Sequence, residues 1–208
     1  MKLYELAPTR SIRVRWTLQE LGVPFEAVRV DLAAGEHRTP EFLALNPAGK
    51  VPVLVDGDLV LTESAAIPFY LADKFPEKGL LPSDAAGRGE AYRWSLFAVT
   101  ELEQPLWRIQ RHTALYPEAD RIPADVALAS REARAAATIL DDHLKGREFV
   151  AGRRVSVADF IVAYTLDWAS ARGLLDHCPS AGAYVERMYA RPLAAPRIVA
   201  ARASLQSA

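Results

Sequence analysis

Asn46-Pro47-Ala48-Gly49-Lys50-Val51-Pro52-Val53-Leu54-Val55-Asp56-Gly57-Asp58-Leu59-Val60-Leu61 reads as a turn followed by a β-hairpin. Asn, Pro and Gly at the start are turn residues that interrupt regular structure. The β-branched run from Val51 is strand-like, and Asp56-Gly57 is hairpin-turn chemistry. Pro52 opens that run. A proline donates nothing to a sheet ladder, so this strand end belongs at an edge. Val51-Pro52 admits two readings. One is an ordinary edge proline. The other is a cis bond that turns the N–H and C=O of Val51 outward, where an extended peptide pairs with them as an added strand.

Working outward, Lys2 to Leu6 is a short strand. Ser11 to Leu21 carries Val14, Leu18 and Leu21 at helical spacing and stops at Gly22. Phe25 to Val30 alternates as a second strand, and Glu41 to Leu45 is a short helical turn. Ser64 to Phe75 puts Ile67, Leu71 and Phe75 on one helical face; Pro68 is awkward there, because it removes a bond to the Ser64 carbonyl. The order is βαβαββα. Pro76, Gly79, Pro82 and Ser83 then mark a break. Beyond it, residues 85–115, 124–145, 156–172, 180–191 and 193–204 read as helices, with at most a short strand at Glu148-Phe149-Val150. The expected organisation is an α/β domain over 1–78, a linker over 79–84 and an all-helical domain over 85–208.

Composition removes several function classes. The chain has 208 residues, half of them hydrophobic, and a formal charge of -1 with Lys and Arg spread along its length. No basic block points to nucleic acid. No apolar run reaches the ~18 residues of a membrane span, and Met1 to Glu5 lacks the apolar core of a signal peptide. The single cysteine, Cys178, allows neither an intrachain disulfide nor a cysteine-cage metal site. A soluble cytoplasmic protein without a metal is expected, with Cys178 as a small buried hydrophobe.

Three further motifs carry chemistry. Leu61-Thr62-Glu63-Ser64-Ala65-Ala66-Ile67 leads into a helix. Its free N–H groups suit a carboxylate, Ser64 adds a hydroxyl, and Glu63 suits an ammonium; equally, Glu63 or Ser64 simply caps the helix. Ala7-Pro8-Thr9-Arg10-Ser11 joins the first strand to the first helix. Hydroxyls at a helix N-terminus stabilise an anion such as a thiolate, or else Ser11 caps the helix and Thr9 fills a turn. Val155-Ser156-Val157-Ala158-Asp159-Phe160 resembles a capping box with a hydrophobic staple, a structural device.

Taken together, Arg10-Ser11-Ile12-Arg13-Val14-Arg15-Trp16, Glu20 to Glu26, Thr39 to Leu54 and Leu61 to Ile67 resemble the glutathione S-transferase family, over residues 1 to about 195. The Ser156–Asp159 cap resembles that family's mark in its helical domain. The resemblance implies a thioredoxin-like domain followed by a helical bundle, with glutathione as co-substrate. It implies that Val51 pairs with the cysteinyl backbone of glutathione and that Pro52 is the cis-proline. Glu63 and Ser64 hold the γ-glutamyl end, and His37 and Lys50 reach towards the glycine carboxylate. In serine-type members a hydroxyl before the first helix faces the sulfur. Here that position falls to Ser11 first and Thr9 second, with Arg10 as electrostatic help; Tyr4 resembles the tyrosine of other classes only loosely.

The absence of cysteine from residues 1–84 speaks against beta-like and omega-like members and for a serine/threonine-loop, theta-like, bacterial-type one. A loop rich in Ser and Cys, as in the zeta class, is also missing. The resemblance puts the second, electrophilic substrate between the domains, with Trp107, Arg108 and Arg111 as candidate wall residues. Trp107 fits the core as well, and the two arginines fit a solvated face. Trp94 and Trp168 are core. The expected activity is attack of the glutathione thiolate on a small electrophile, in detoxification or catabolism, by a homodimer. The alternatives are a non-catalytic glutathione-binding or interaction module, and a glutathione-dependent peroxidase or dehalogenase.

Overall fold

A computed structural model of the chain describes residues 1–206. They fall into two compact units, one of Met1–Leu81 with the segment that begins at Arg191, the other of Pro82–Ala190.

The first unit follows the expected βαβαββα order: β1 (Lys2–Glu5), α1 (Ser11–Leu21), β2 (Glu26–Arg29), α2 (Pro40–Leu45), β3 (Val53–Asp56), β4 (Leu59–Leu61) and α3 (Ala66–Lys74). The strands lie in the order β2-β1-β3-β4, with β1 parallel to β2 and antiparallel to β3, and β3 antiparallel to β4. The side-chain alternation of a strand then divides the core. Tyr4 and Val53 are register partners. They share one face with Val30, Phe42, Leu32, Leu45 and Val51, and the Tyr4 ring meets Phe42 edge-on at 6.2 Å. The next pair, Leu3 and Leu54, is wholly buried on the opposite face. α1 and α3 pack together and bury Ile12, Val14, Trp16, Leu18, Ile67 and Leu71. Asp56 pairs with Leu59, so the hairpin turns at Gly57-Asp58, one residue later than expected, with Gly57 at φ 61°.

α3 starts at Ala66, two residues after the expected start. This disposes of the difficulty at Pro68. Pro68 sits in the first turn, where N–H groups have no intrahelical acceptor, so the missing donor costs nothing.

The second unit is helical. α4 (Ala85–Phe97) and α5 (Glu103–Gln110) are joined by a π-helical stretch at Ala98–Leu102, and α5 ends in another at Arg111–Leu115. α6 (Pro123–Leu144), α7 (Val157–Ser170) and α8 (Pro179–Tyr189) complete it. α7 is buried along almost its whole length and packs against α4 and α8. Trp94, Trp168 and Cys178 are buried, as expected. Glu148–Val150 forms a bend rather than a strand; the Val150 N–H donates instead to Asp159 Oδ1 at 2.8 Å.

The last helix, α9 (Ile198–Gln206), falls within the first unit, in contrast to the expected domain range of 85–208. Arg191 explains the return. Its Nε and Nη2 each donate to a Glu20 carboxylate oxygen at 2.8 Å, near the C-terminal end of α1. Bidentate geometry makes this a strong, directional anchor. Ala195, Ile198 and Ala201 are buried behind it. No helix among the described residues is long and apolar enough to cross a membrane.

Candidate functional site

Sheet topology brings the chemical motifs to one end of the first unit. β1 and β3 run antiparallel, so the chain leaving β1 emerges beside the chain entering β3. β4 runs antiparallel to β3, with Leu61 opposite Leu54, so the chain leaving β4 emerges there too. The 6–11 loop, Val51-Pro52 and Thr62 to Ser64 are therefore neighbours because of strand direction alone.

In the 6–11 loop the two hydroxyls form a chain. Thr9 Oγ1 donates to the Leu6 carbonyl, which only accepts. The proton in the 2.8 Å contact between Thr9 Oγ1 and Ser11 Oγ therefore comes from Ser11. Thr9 Oγ1 also accepts the Ser11 N–H at 3.2 Å, and Ser11 Oγ accepts the Leu6 N–H at 3.3 Å. Ser11 does not cap α1. Arg10 occupies the cap position and makes no side-chain cap bond; the first N–H groups of α1 are taken within the loop, that of Ile12 by the Thr9 carbonyl and that of Arg13 by the Arg10 carbonyl. Ser11 is 0 % exposed, whereas Thr9 and Arg10 are half-buried. In this arrangement the Ser11 proton goes to Thr9 and the Thr9 proton to the Leu6 carbonyl, so the two hydroxyls differ in burial and not in a free proton.

Around Val51 the bond to Pro52 is cis, and so is Ala7-Pro8. The described β1–β3 register ends at Tyr4 opposite Val53, which leaves the backbone of Val51 outside the ladder. Lys50 is exposed and Pro52 buried. His37 lies on a short 3-10 helix, Glu36–Arg38, and its Nδ1 is buried without a hydrogen-bond partner among the described residues. A Cβ on Gly49, which has φ 59°, would come within 3.0 Å of the His37 carbonyl and of Arg38 Nη1, so only glycine lets the two loops approach this closely.

At the third motif Glu63 has φ 68°, a left-handed conformation that is uncommon for a residue other than glycine. Such strain, worth roughly 1–2 kcal/mol, persists where the surroundings impose it. Its carbonyl accepts the Ile67 N–H at 3.1 Å. Ser64 is 6 % exposed, and its Oγ accepts from Arg13 Nη1 at 3.0 Å. Arg13, on α1, is wholly buried. Sequence reasoning missed it as a site residue, because an arginine among helical apolar positions looks like a surface residue until the packing is known. Arginine has no acceptor, so the proton of Ser64 points away from it.

The helical unit contributes differently. Arg108 Nε donates to Asp125 Oδ2 at 3.2 Å; its other nitrogens pair with Asp125 Oδ1 and Glu132. The hydrogen bond to Asp125 raises the Arg108 pKa, and the same bond lowers that of Asp125. Arg108 thus joins α5 to α6. Arg111 lies over the Tyr116 ring at 5.7 Å, and Trp107 meets Trp168 edge-on at 6.5 Å. In the Ser156 capping box, Asp159 accepts from the N–H groups of Val150 and Ser156 and the hydroxyl of Tyr184 at 2.8 Å, and from Ser156 Oγ at 3.1 Å. Burial still pushes its carboxyl up to about 6. Among the described residues no cluster suits a metal ion.

A βαβαββα unit with a cis-proline before β3, followed by a helical unit with a Ser-x-x-Asp capping box, belongs to the thioredoxin-like two-domain transferases. Known proteins make this specific. The glutathione S-transferase N-terminal domain matches residues 1–73, and the C-terminal domain matches residues 108–192. Glutathione S-transferase F10 of Arabidopsis thaliana is 40 % identical over 148 residues, 69 % of this chain and 68 % of that one. The structure of a glutathione S-transferase from Xylella fastidiosa superposes with a TM-score of 0.83 at 32 % identity, over 99 % of this chain and 97 % of that one. A glutathione transferase family member from Pseudomonas fluorescens, solved with two glutathione molecules bound, gives 0.82 at 28 % identity, over 93 % and 89 %. The chain belongs to the glutathione S-transferase family.

Proposed function

We propose that the chain is a glutathione transferase that binds glutathione at the strand-end site of the first unit and uses its thiolate as a nucleophile. The observation that carries this reading is the convergence of Val51, Ser64 and the Thr9 loop at one end of the sheet. The Val51 backbone pairs with the cysteinyl backbone, as an added strand would. Ser64 donates its remaining proton to the γ-glutamyl carboxylate, and Glu63 accepts from the γ-glutamyl ammonium. His37 and Lys50 hold the glycine carboxylate. The sulfur then lies by the 6–11 loop, where the Thr9 hydroxyl, turning its proton from the Leu6 carbonyl to the ligand, the positive end of α1 and Arg10 favour the thiolate over the thiol. The thiol proton leaves to solvent. The sulfur lone pair forms the new bond to an electrophilic carbon, whose leaving group departs with the bonding electrons. Thr9 replaces Ser11 as the hydroxyl nearest the sulfur, because it is the more exposed of the two.

One observation favours a glutathione-holding module without turnover: the Thr9 proton is already donated to the Leu6 carbonyl. Calorimetry with glutathione and a conjugation assay with a halonitrobenzene separate the two. Binding with turnover supports the transferase, binding without turnover supports the module, and no binding at millimolar glutathione refutes both. An organic hydroperoxide in the same panel tests peroxidase activity. The reading includes a cytoplasmic homodimer. A concentration-independent 22.9 kDa species in light scattering would refute the dimer.

A further inference from the structure

We infer that Asn46 is a positioning residue for glutathione: its buried side chain fixes the Lys50–Val51 peptide so that the Val51 N–H faces the ligand. This rests on the glutathione reading above and names a residue outside the set assigned to it. Asn46 is 7 % exposed and sits at the C-terminal cap of α2. Its side-chain amide bridges the loop. Nδ2 donates to the Lys50 carbonyl at 2.7 Å, and Oδ1 accepts the Ala48 N–H at 3.0 Å. These two partners settle which end of the amide is oxygen. The Asn46 carbonyl accepts the Gly49 N–H at 2.9 Å, so the same residue closes the turn through its main chain as well.

The consequence is geometric. Among the described residues only Ala7-Pro8 and Val51-Pro52 are cis, so the Lys50–Val51 peptide is trans. In a trans peptide the C=O and N–H point in opposite directions across a rigid plane. Tethering the Lys50 carbonyl inward to Asn46 therefore turns the Val51 N–H outward. Without the tether the plane rotates about the flanking dihedrals of Lys50 and Val51, and the donor is no longer presented in advance. Preorganisation of this kind adds to affinity by removing an ordering cost from the binding step.

Asn46→Asp is the discriminating variant. It keeps the size of the side chain and the acceptor for Ala48, but it sets an oxygen against the Lys50 carbonyl. Calorimetry should give glutathione binding roughly tenfold weaker than wild type, the factor set by one hydrogen bond of ordinary net worth. In 15N–1H spectra glutathione should move the Val51 amide proton of the wild type downfield, and in the variant this shift should be lost or reduced. Equal affinity in the two proteins overturns the inference and leaves the glutathione reading intact. Weaker binding with an unchanged Val51 shift also overturns it, since Asn46 then only stabilises the loop. If the wild type binds no glutathione, both fail. Should the variant not fold, the wild type alone decides. Saturation with glutathione should shift the Val51 N–H while leaving the Lys50 carbonyl and the Asn46 side-chain amide unmoved; a large change at the Lys50 carbonyl means the peptide reorients, and the inference is wrong.

Discussion

Two buried polar centres, one in each unit, use similar residues to opposite ends. Around Asp159 four donors converge on one carboxylate. This equals the ~4 lone-pair sites a carboxylate offers, so the centre is complete without a ligand. Around Ser64 and Val51, Arg13 donates to Ser64 and Asn46 to the Lys50 carbonyl, and on the reading proposed above the Ser64 proton and the Val51 N–H are left for the ligand. A closed network holds a fold. An open one, whose inward half alone is satisfied, is where we propose that the ligand binds. The difference lies not in residue type, since both contain a serine near a helix start, but in which valences the protein itself consumes.

The largest effect expected from this contrast is at Asp159. Asp159→Ala leaves the buried N–H groups of Val150 and Ser156 unpaired, takes the nearer partner from the Tyr184 hydroxyl, and should cost about 3–5 kcal/mol in denaturant unfolding. A loss under 1 kcal/mol would mean the centre is not closed. The same carboxyl has a pH dependence of definite sign. Its folded pKa, about 6, lies above the ordinary value of 3.8, so the folded state binds the proton more tightly than the unfolded state. This term is fully favourable below pH ~4 and is lost as the pH rises through 6, a swing of about 3 kcal/mol. Against an Asp159→Asn reference, wild-type stability should therefore rise as the pH falls from 7 to 5; a fall would contradict the assignment.

On the open side, Ser64→Ala should weaken glutathione by roughly 1–3 kcal/mol, because a ligand carboxylate loses a donor. Unfolding stability should change less than in the Asp159 variant. Thr9→Ala should raise the pKa of the bound thiol and lower turnover at neutral pH about tenfold to a hundredfold, with part of the activity returning at higher pH. Ser11→Ala acts through Thr9 and should show a smaller shift in the pH profile. If the larger shift belongs to Ser11, the geometric ranking of the two hydroxyls is wrong. The smallest effect is at Arg108. Arg108→Met breaks a partly exposed ion-pair network, should cost about 1 kcal/mol of stability or less, and should leave glutathione affinity unchanged.

The sequence made the strand and helix order readable because hydrophobic periodicity and Gly or Pro punctuation agree at nearly every element. Val51-Pro52, Glu63-Ser64 and Ser156–Asp159 were readable as motifs for the same reason, since each has a fixed place relative to an element end. What stayed hidden depended on partners far along the chain. Arg13 meets Ser64 fifty-one positions away. Arg191 meets Glu20 across 171 positions, so nothing local reveals that the last helix returns to the first unit. The ranking of Ser11 over Thr9 rested on the resemblance alone, because burial and proton direction are properties of the folded loop. Arg108 read as a candidate wall residue or a solvated face, because nothing local shows that α6 brings Asp125 and Glu132 to it.

The central claim is that the open centre binds glutathione and stabilises its thiolate. Ultraviolet thiolate absorbance of protein-bound glutathione, followed against pH, tests this most directly. A free thiol titrates near ~8.5. The account predicts a bound thiol that ionises at least one unit lower in the wild type and moves back towards the free value in Thr9→Ala. Bound glutathione that titrates like the free tripeptide in the wild type would contradict it.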